Sequence, residues 1–218
     1  MKERYKDRKE AGLKLVQYLD HYVGAPGLLV LALPRGGIVV ANEIARALKA
    51  ELDVFVVRKL GAPDEPELAM GAVAEGGIIE LNRSVVDFLS ISKEQIEKSA
   101  EQELTLLRHR QQLYRQKRPQ LQISGKTILL VDDGLATGAT MKVALKAVKK
   151  HDPERVAVAV PVGAPSTVRE LRAEANDMIC PMQPDHFMAV GAWYEEFGQV
   201  SDEEVSEVLQ SYNKKEQQ

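Results

Sequence analysis

The chain has 218 residues, which is long enough for one domain that needs no disulfide or bound metal to fold. Its 29 Lys and Arg nearly balance its 32 Asp and Glu. The net charge of −3 argues against broad nucleic-acid binding, the single Cys180 excludes an internal disulfide framework, and no apolar run could span a membrane. Because the N-terminus also lacks the apolar segment of a secretory signal, we expect a cytoplasmic protein with no nucleic-acid or membrane partner.

Apolar periodicity predicts alternating helices and strands. In the first half we expect a helix over 5–22, a strand over 28–33, a helix over 38–49, a strand over 54–57, a loop over 59–66, short strands over 71–74 and 78–81, and a helix over 92–115. In the second half we expect strands over 127–131, 156–162 and 178–180, and helices over 140–150, 166–175 and 202–212. Ser92 and Gln95 have the spacing of a capping box.

This alternation predicts an α/β fold: a Rossmann-like, mostly parallel sheet flanked by helices. We expect a single domain over 1–218. In sheets of this kind ligands bind beyond the carboxyl ends of the strands, so the loops that follow the strands are the places to look for chemistry.

The segment from Thr127 to Met141, TILLVDDGLATGATM, carries the strongest functional signal. An apolar strand ends in Asp132 and Asp133, and a loop of small residues then leads into a helix. A helix N-terminus approached by small residues lets backbone N–H groups and hydroxyls contact a phosphate. The cradle residues are Ala136, Thr137, Gly138, Ala139 and Thr140. The two carboxylates would repel a phosphate unless they bind something else, and ribose hydroxyls or the waters of Mg²⁺ meet that need.

The motif VDDGLATGATM resembles the 5-phosphoribosyl-1-pyrophosphate (PRPP) motif of type I phosphoribosyltransferases. The resemblance extends roughly from Arg8 to Leu209. The whole chain also resembles a group of predicted bacterial phosphoribosyltransferases whose substrate is undefined. It implies that Asp132 and Asp133 hold the ribose 2- and 3-hydroxyls and that 136–140 hold the 5-phosphate. It also implies a small hood built from the N- and C-terminal segments, with 181–218 as the C-terminal part, and a helical insertion over 82–118.

A second motif, Leu33-Pro34-Arg35-Gly36-Gly37, ends the first strand. The glycines allow backbone amides to face a ligand, and Arg35 adds a fixed cation, although an ordinary turn would look similar. By resemblance this is the pyrophosphate loop, which often holds an unusual peptide conformation, so Arg35, Gly36 and Gly37 join the expected PRPP-binding residues.

Two further segments are candidates. Arg58 and Lys59 precede a Gly/Pro-rich stretch that runs through Pro66, Glu67 and Leu68; they match a mobile basic loop that stabilises the leaving pyrophosphate, or they are simply solvated. We expect Lys59 to be the more important catalytic residue. Phe187, with Trp193 nearby, matches an aromatic ring that stacks on the acceptor base, or both rings pack in the core.

The resemblance implies an enzyme that moves the phosphoribosyl group of PRPP to a nitrogen acceptor, expected to be a nucleobase, as in nucleotide salvage. Mg²⁺ would bind chiefly to PRPP oxygens and waters, with Asp132 and Asp133 in its outer shell, and a homodimer is a further expectation. Ala136 stands where hypoxanthine-guanine enzymes have an Asp, so the loop is more similar to that of adenine or orotate enzymes. A non-catalytic PRPP or nucleotide sensor and a phospho-sugar hydrolase remain alternatives.

Overall fold

The computed structural model describes residues 4–66, 68–115 and 121–216. Parts of three expectations lie outside these residues: the end of the insertion at 116–118, Glu67 of the Gly/Pro-rich stretch, and the two ends of the chain. In the described part, no helix is both long and apolar enough to cross a bilayer.

The core is a five-stranded, fully parallel sheet. Its strands, in spatial order, are β2 (Glu51–Val54), β1 (Leu28–Ala32), β6 (Thr127–Val131), β7 (Arg155–Ala159) and β8 (Asp177–Ile179). The helices around it are α1 (Arg8–Val16), α2 (Gly37–Leu48), α5 (Ala139–Lys149), α6 (Pro165–Glu174) and α7 (Asp202–Glu216). The predicted fold class is confirmed.

The apolar runs in β1 and β6 explain why these strands lie at the centre. Every residue of both strands is buried, as is typical of a parallel sheet with helices on both faces. Alternate residues of each strand belong to two separate hydrophobic cores. Val30 is in the core that contains the buried faces of α2 and α7, whereas Leu31 is in the core that contains those of α5 and α6. The sheet therefore separates two hydrophobic cores, one on each of its faces.

A second, antiparallel sheet was not predicted as such. It consists of β3 (Val57–Gly61), β4 (Ala69–Ala74) and β5 (Ile78–Leu81), and it is followed by α3 (Arg83–Phe88) and α4 (Lys93–Arg115). Ser92 and Gln95 form the predicted capping box at the start of α4: the Ser92 N–H donates to Gln95 Oε1 at 2.9 Å, and the Gln95 N–H donates to Ser92 Oγ at 3.2 Å.

Several predicted boundaries were wrong. The apolar run at 54–57 is the end of β2 and the start of β3, because the chain changes sheets at Phe55 and Val56. Consequently Lys59 lies within a strand rather than in a loop. The expected helix over 5–22 ends at Val16 and resumes as a 3₁₀ turn over 20–22, although its apolar stripe is buried. Strand β7 stops at Ala159, and α3 carried too little periodicity to be predicted.

The N- and C-terminal segments meet beside the sheet. Tyr5 forms a parallel β-bridge with Tyr194, and the Tyr5 N–H donates to the Trp193 carbonyl at 2.9 Å. These residues form a small apolar cluster with Ala11 and Val162. Both segments also contact the loop that follows β6, because Arg8 and Tyr194 each form a hydrogen bond with Asp133.

Candidate functional site

The candidate site lies at the topological switch point of the sheet, between β1 and β6. From β1 the chain proceeds to β2 on one side, whereas β6 leads to β7 and β8 on the other. The last residues of the two central strands, Ala32 and Val131, are paired in register. The loops that leave β1 and β6 therefore emerge side by side, at the kind of position where open α/β sheets bind ligands.

Two helices begin at this edge. Helix α2 follows the β1 loop and starts at Gly37, while α5 follows the β6 loop and starts at Ala139. The first N–H groups of a helix have no intrahelical acceptor, and the helix dipole adds partial positive charge there. The edge thus has two neighbouring helix N-termini, which begin at the two motifs singled out in the sequence.

The segment 132–140, which we call the acid-pair loop, is held by contacts from the segment that follows β7 and from α6. The Leu135 N–H donates to the Val162 carbonyl at 2.9 Å, and the Thr167 hydroxyl donates to the Ala136 carbonyl at 2.7 Å. Gly138 has φ +68°, and an added Cβ would lie 2.4 Å from Thr167 Cγ2. Glycine is therefore required at this turn into α5.

The exposed part of this loop is the predicted phosphate cradle. Ala136, Thr137, Ala139 and Thr140 are exposed, whereas Gly138 is buried beneath them. The Ala139 N–H makes a long contact of 3.5 Å with Thr137 Oγ1. Small side chains and a helix N-terminus therefore leave backbone and hydroxyl donors accessible to a ligand.

The acid pair lies at the end of β6 in two different environments. The Asp133 N–H donates to Asp132 Oδ1 at 2.8 Å. Burial raises the pKa of the Asp132 carboxyl well above its usual value, and the neighbouring Asp133 charge adds to this effect. Asp133 instead faces a cation, because Arg8 Nε donates to Asp133 Oδ2 at 2.7 Å.

The pyrophosphate-loop candidate is in direct contact with the acid pair. The peptide bond between Pro34 and Arg35 is cis, which matches the unusual peptide that the resemblance implied. A Cβ on Gly36 would lie 2.0 Å from Asp133 Oδ2, and one on Gly37 would lie 2.8 Å from the Val131 carbonyl oxygen. Both glycines are needed for this close approach, while the Arg35 side chain is exposed.

Strands β3 and β4, which we call the Lys59 hairpin, lie across from the start of α5. Lys59 lines a cavity of about 750 Å³ together with Thr137, Ala139 and Thr140, so the structure brings this cation to the phosphate cradle. Arg58 points the other way, because successive residues of a strand face opposite sides, and it forms an ion pair with Glu103 of α4. Of the two predicted cations, only Lys59 lines the cavity.

The two aromatic candidates are in different positions. Trp193 is 7% exposed and packs with Tyr5 and Tyr194, as the core alternative predicted. Phe187 is half-buried at the edge of the same cluster. Phe187 is thus the more accessible of the two rings. The structure places neither of them on the cavity of Lys59.

Sequence reasoning missed two residues that contact the acid pair. Arg8 is 125 positions away from Asp133, and no motif connects them. The Tyr194 hydroxyl donates to the Asp133 carbonyl at 2.6 Å, and burial raises the pKa of this phenol. The aromatic Trp193-Tyr194 pair was visible in the sequence, but nothing indicated that the second ring, rather than the first, would reach the site.

Other reactive groups do not form a separate centre in the described ranges. Cys180 is buried and unpaired, and burial raises its pKa to about 12, so the thiol is poorly suited to act as a nucleophile. No cluster of three or more His, Cys, Asp or Glu side chains in 4–66, 68–115 and 121–216 could hold a metal ion.

Comparison with known proteins agrees with this geometry. A family model described as "Phosphoribosyl transferase domain" matches residues 8–195. Two Mycobacterium tuberculosis proteins, from strains CDC 1551 / Oshkosh and H37Rv, are named as phosphoribosyl transferases with no acceptor given; each is 40% identical over 201 residues, which are 92% of this chain and 45% of the relative. The chain therefore spans less than half the length of these relatives.

Solved structures share the fold of this chain. The crystal structure of TT1426 from Thermus thermophilus has a TM-score of 0.83 and 44% identity, and the match covers 96% of this chain and 99% of that one. A purine phosphoribosyltransferase from Pyrococcus horikoshii has a TM-score of 0.51 at 16% identity, covering 89% and 92% of the two chains, and supports the fold alone. The family model and the 40% identical relatives show that the chain belongs to the phosphoribosyl transferase domain family.

Proposed function

We propose that the protein is an enzyme that transfers the 5-phosphoribosyl group of PRPP to a nitrogen atom of a nucleobase and releases pyrophosphate. One observation carries this proposal: the acid pair, the phosphate cradle and the loop of Arg35, Gly36 and Gly37 converge at the β1/β6 switch point, where Gly36 lies against Asp133. Membership of the phosphoribosyl transferase domain family supports the same reaction.

Three parts of PRPP would then bind to three parts of the site. The 5-phosphate binds to the N–H and hydroxyl donors of 136–140, where the N-terminus of α5 favours an anion. The ribose 2- and 3-hydroxyls donate to Asp132 and Asp133. The pyrophosphate binds to the loop of Arg35, Gly36 and Gly37 at the start of α2.

The chemical step breaks the bond between C1 of the ribose and the pyrophosphate oxygen, and forms a bond from C1 to the acceptor nitrogen. The sugar becomes oxocarbenium-like as negative charge accumulates on the leaving pyrophosphate. Catalysis then rests on orienting the two reactants and stabilising that charge. Lys59 is the proposed cation for this role, and Arg58 would join it only by leaving Glu103.

Mg²⁺ fits this site as an ion carried by the substrate. Mg²⁺ is commonly bound through one or two carboxylates together with substrate phosphates, and Asp132 and Asp133 provide such oxygens. Its chemical contribution would be to neutralise charge on the pyrophosphate. The Asp133 carboxylate, held by Arg8, would reach the ion's shell through water.

The acceptor is proposed to lie near Phe187, whose half-buried ring offers a face for stacking. Trp193 would pack behind this region and would not touch the base, since it is buried in the cluster with Tyr5 and Tyr194. A nucleobase acceptor would place the enzyme in nucleotide salvage. A homodimer remains a proposal that a sedimentation measurement would test.

A second candidate function is a PRPP or nucleotide sensor that binds without turnover. The ion pair of Arg58 with Glu103 favours it, because one of the two proposed catalytic cations is occupied elsewhere in this structure. A sensor would retain the phosphate cradle and the acid pair and would need neither Lys59 nor an acceptor.

The test is pyrophosphate release from Mg·PRPP, measured with a panel of nucleobases and amines and with an acceptor-free control. We expect release that depends on one acceptor. Release without any acceptor would indicate a phospho-sugar hydrolase instead. Absence of release, combined with thermal stabilisation by PRPP that is lost in Asp133→Ala, would indicate the sensor.

A further inference from the structure

Arg8, in the first turn of α1, contacts the acid pair, and the proposed function gives this contact no part in binding the sugar. Its Nε donates to Asp133 Oδ2 at 2.7 Å, and the two side chains are only 12% and 15% exposed. A hydrogen bond between charged partners with so little exposure is stronger and less screened than a surface ion pair.

Arg8 is itself held by the C-terminal segment. Its Nη1 donates to the Gly198 carbonyl at 2.7 Å, and its Cζ lies 3.8 Å from the centre of the Phe197 ring. The planar guanidinium therefore has its edge on two acceptors and its face on an aromatic ring. These contacts hold the cation in one orientation towards Asp133.

Asp133 is fixed from its other sides as well. Its Oδ2 lies against Gly36, where a Cβ would come within 2.0 Å, and its carbonyl accepts the Tyr194 hydroxyl at 2.6 Å. Arg8 binds the same oxygen that faces Gly36. The carboxylate can therefore turn little, and the orientation of its second oxygen depends on Arg8.

We infer that Arg8 is a positioning residue for PRPP: it orients the Asp133 carboxylate towards the sugar hydroxyls and offsets one of the two negative charges beside a polyanionic substrate. This inference rests on the proposed function. It assigns a role in substrate binding to the junction of the two terminal segments, through Arg8, Phe197 and Gly198.

The opposite role, a latch that blocks Asp133 until PRPP displaces it, predicts the opposite sign. The contacts favour positioning, because Arg8 engages one carboxylate oxygen and is anchored by Gly198 and Phe197. Loss of the arginine would leave the adjacent carboxylates without this counter-charge, next to an incoming pyrophosphate.

The experiment is a calorimetric titration of Mg·PRPP into the wild type, Arg8→Gln and Arg8→Lys, with Arg46→Gln as the matched control. Arg46 lies on α2, where it contacts Asn42 and Tyr212 instead of the site. We expect Arg8→Gln to weaken PRPP binding roughly 10- to 100-fold, the value of one hydrogen bond between charged groups. Arg8→Lys should recover part of this loss, and Arg46→Gln should bind as the wild type does.

Magnesium pyrophosphate, titrated into the same variants, separates positioning from a merely structural role. Pyrophosphate has no sugar hydroxyls, so Arg8→Gln should weaken its binding less than that of PRPP, through the lost counter-charge alone. Equal loss for both ligands would overturn the inference, as would wild-type or tighter PRPP binding in Arg8→Gln. If Arg8→Gln does not fold, Phe197→Leu replaces it, and we expect a smaller loss in the same direction.

Failure of the proposed function would look different. In that case the wild type would not bind PRPP, or Asp133→Asn would bind it as well as the wild type does. The Arg8 inference fails alone when Asp133→Asn loses binding and Arg8→Gln does not.

Discussion

The acid-pair loop and the Lys59 hairpin line the same side of the molecule, but different contacts hold them. The loop leaves a central, fully buried strand and is fixed by Arg8, Tyr194 and Thr167. In the hairpin, Lys59 is exposed, and the bulge at Leu60 and Gly61 makes the pairing irregular. This difference suggests a division of labour: a preformed loop that binds the substrate, and a peripheral hairpin that acts on the leaving group.

The largest expected effect is on the hairpin side. Lys59→Ala should lower turnover on the order of 10²–10³-fold, because it removes a charge that stabilises the leaving pyrophosphate, while PRPP binding changes little. The measurement is steady-state pyrophosphate release with the identified acceptor, together with calorimetric binding of PRPP.

Lys150→Ala is the matched control for this variant. Lys150 is also a lysine near the hairpin, but it forms an ion pair with Glu80 at 3.1 Å and does not line the cavity of Lys59. Its turnover should match that of the wild type. Equal turnover in Lys59→Ala and Lys150→Ala would end the proposed division of labour.

The next effect is on the loop side. Gly36→Ala would place a Cβ 2.0 Å from Asp133 Oδ2, so the carboxylate must move away from its position. We expect PRPP affinity to fall roughly 10- to 100-fold, which corresponds to about 1.4–2.8 kcal/mol of binding free energy. Calorimetry measures this directly, and unchanged affinity would show that the contact of Gly36 with Asp133 does not matter for binding.

A smaller effect is expected where the acid-pair loop enters α5. Gly138→Ala puts alanine at φ +68° and its Cβ 2.4 Å from Thr167 Cγ2. The free energy of unfolding should fall by about 1–3 kcal/mol from the backbone conformation alone, and the steric contact adds to this.

Thr167→Ser separates these two causes. Serine retains the hydroxyl that bonds the Ala136 carbonyl but lacks the methyl group that the new Cβ would meet. Urea denaturation of the double variant should show part of the lost stability restored. If the second substitution restores nothing, steric contact with Thr167 is not a cause of the loss.

The smallest effect concerns the base of the hairpin and depends on pH. Glu75 is buried, its Oε1 accepts a hydrogen bond from the Val56 N–H at 2.9 Å, and its Oε2 lies 3.0 Å from Arg115 Nη2. Burial raises its pKa, and the Arg115 charge opposes this only in part. Between the unfolded carboxyl pKa of about 4.3 and the raised folded value, the folded state holds more protons.

Stability from this group should therefore be greatest below the unfolded pKa and should decrease as the pH rises through the folded pKa. We expect the unfolding free energy of the wild type to decrease relative to that of Glu75→Gln as the pH increases from about 4.5 towards neutrality. Urea denaturation at several pH values tests this, and a difference that increases with pH would show that the sign is wrong.

The same two regions explain what could be predicted from the sequence. The acid-pair loop was placed correctly because its signal is local: a five-residue apolar strand, two acids, small residues and a helix follow one another without interruption. Such a pattern determines its own structure, since a parallel strand buried on both faces must be apolar throughout.

The hairpin was only partly predicted because its signal is not local. Residues 54–57 form one apolar run, and the change of sheet at Phe55 depends on tertiary contacts rather than on propensity. The contact of Arg8 with Asp133 was missed for the same reason, since chain folding alone brings α1 to the end of β6. The direction of Arg58 towards Glu103 likewise required the position of α4.

The central claim is that the acid pair and its loop bind PRPP, and its most direct test is calorimetric titration of Mg·PRPP into the wild type and Asp133→Asn. Asparagine keeps the shape of the side chain but removes its charge, and it leaves Arg8 without its ionic partner. We predict binding by the wild type and a loss of roughly 100-fold or more in the variant. Equal affinities in the two proteins would contradict the account.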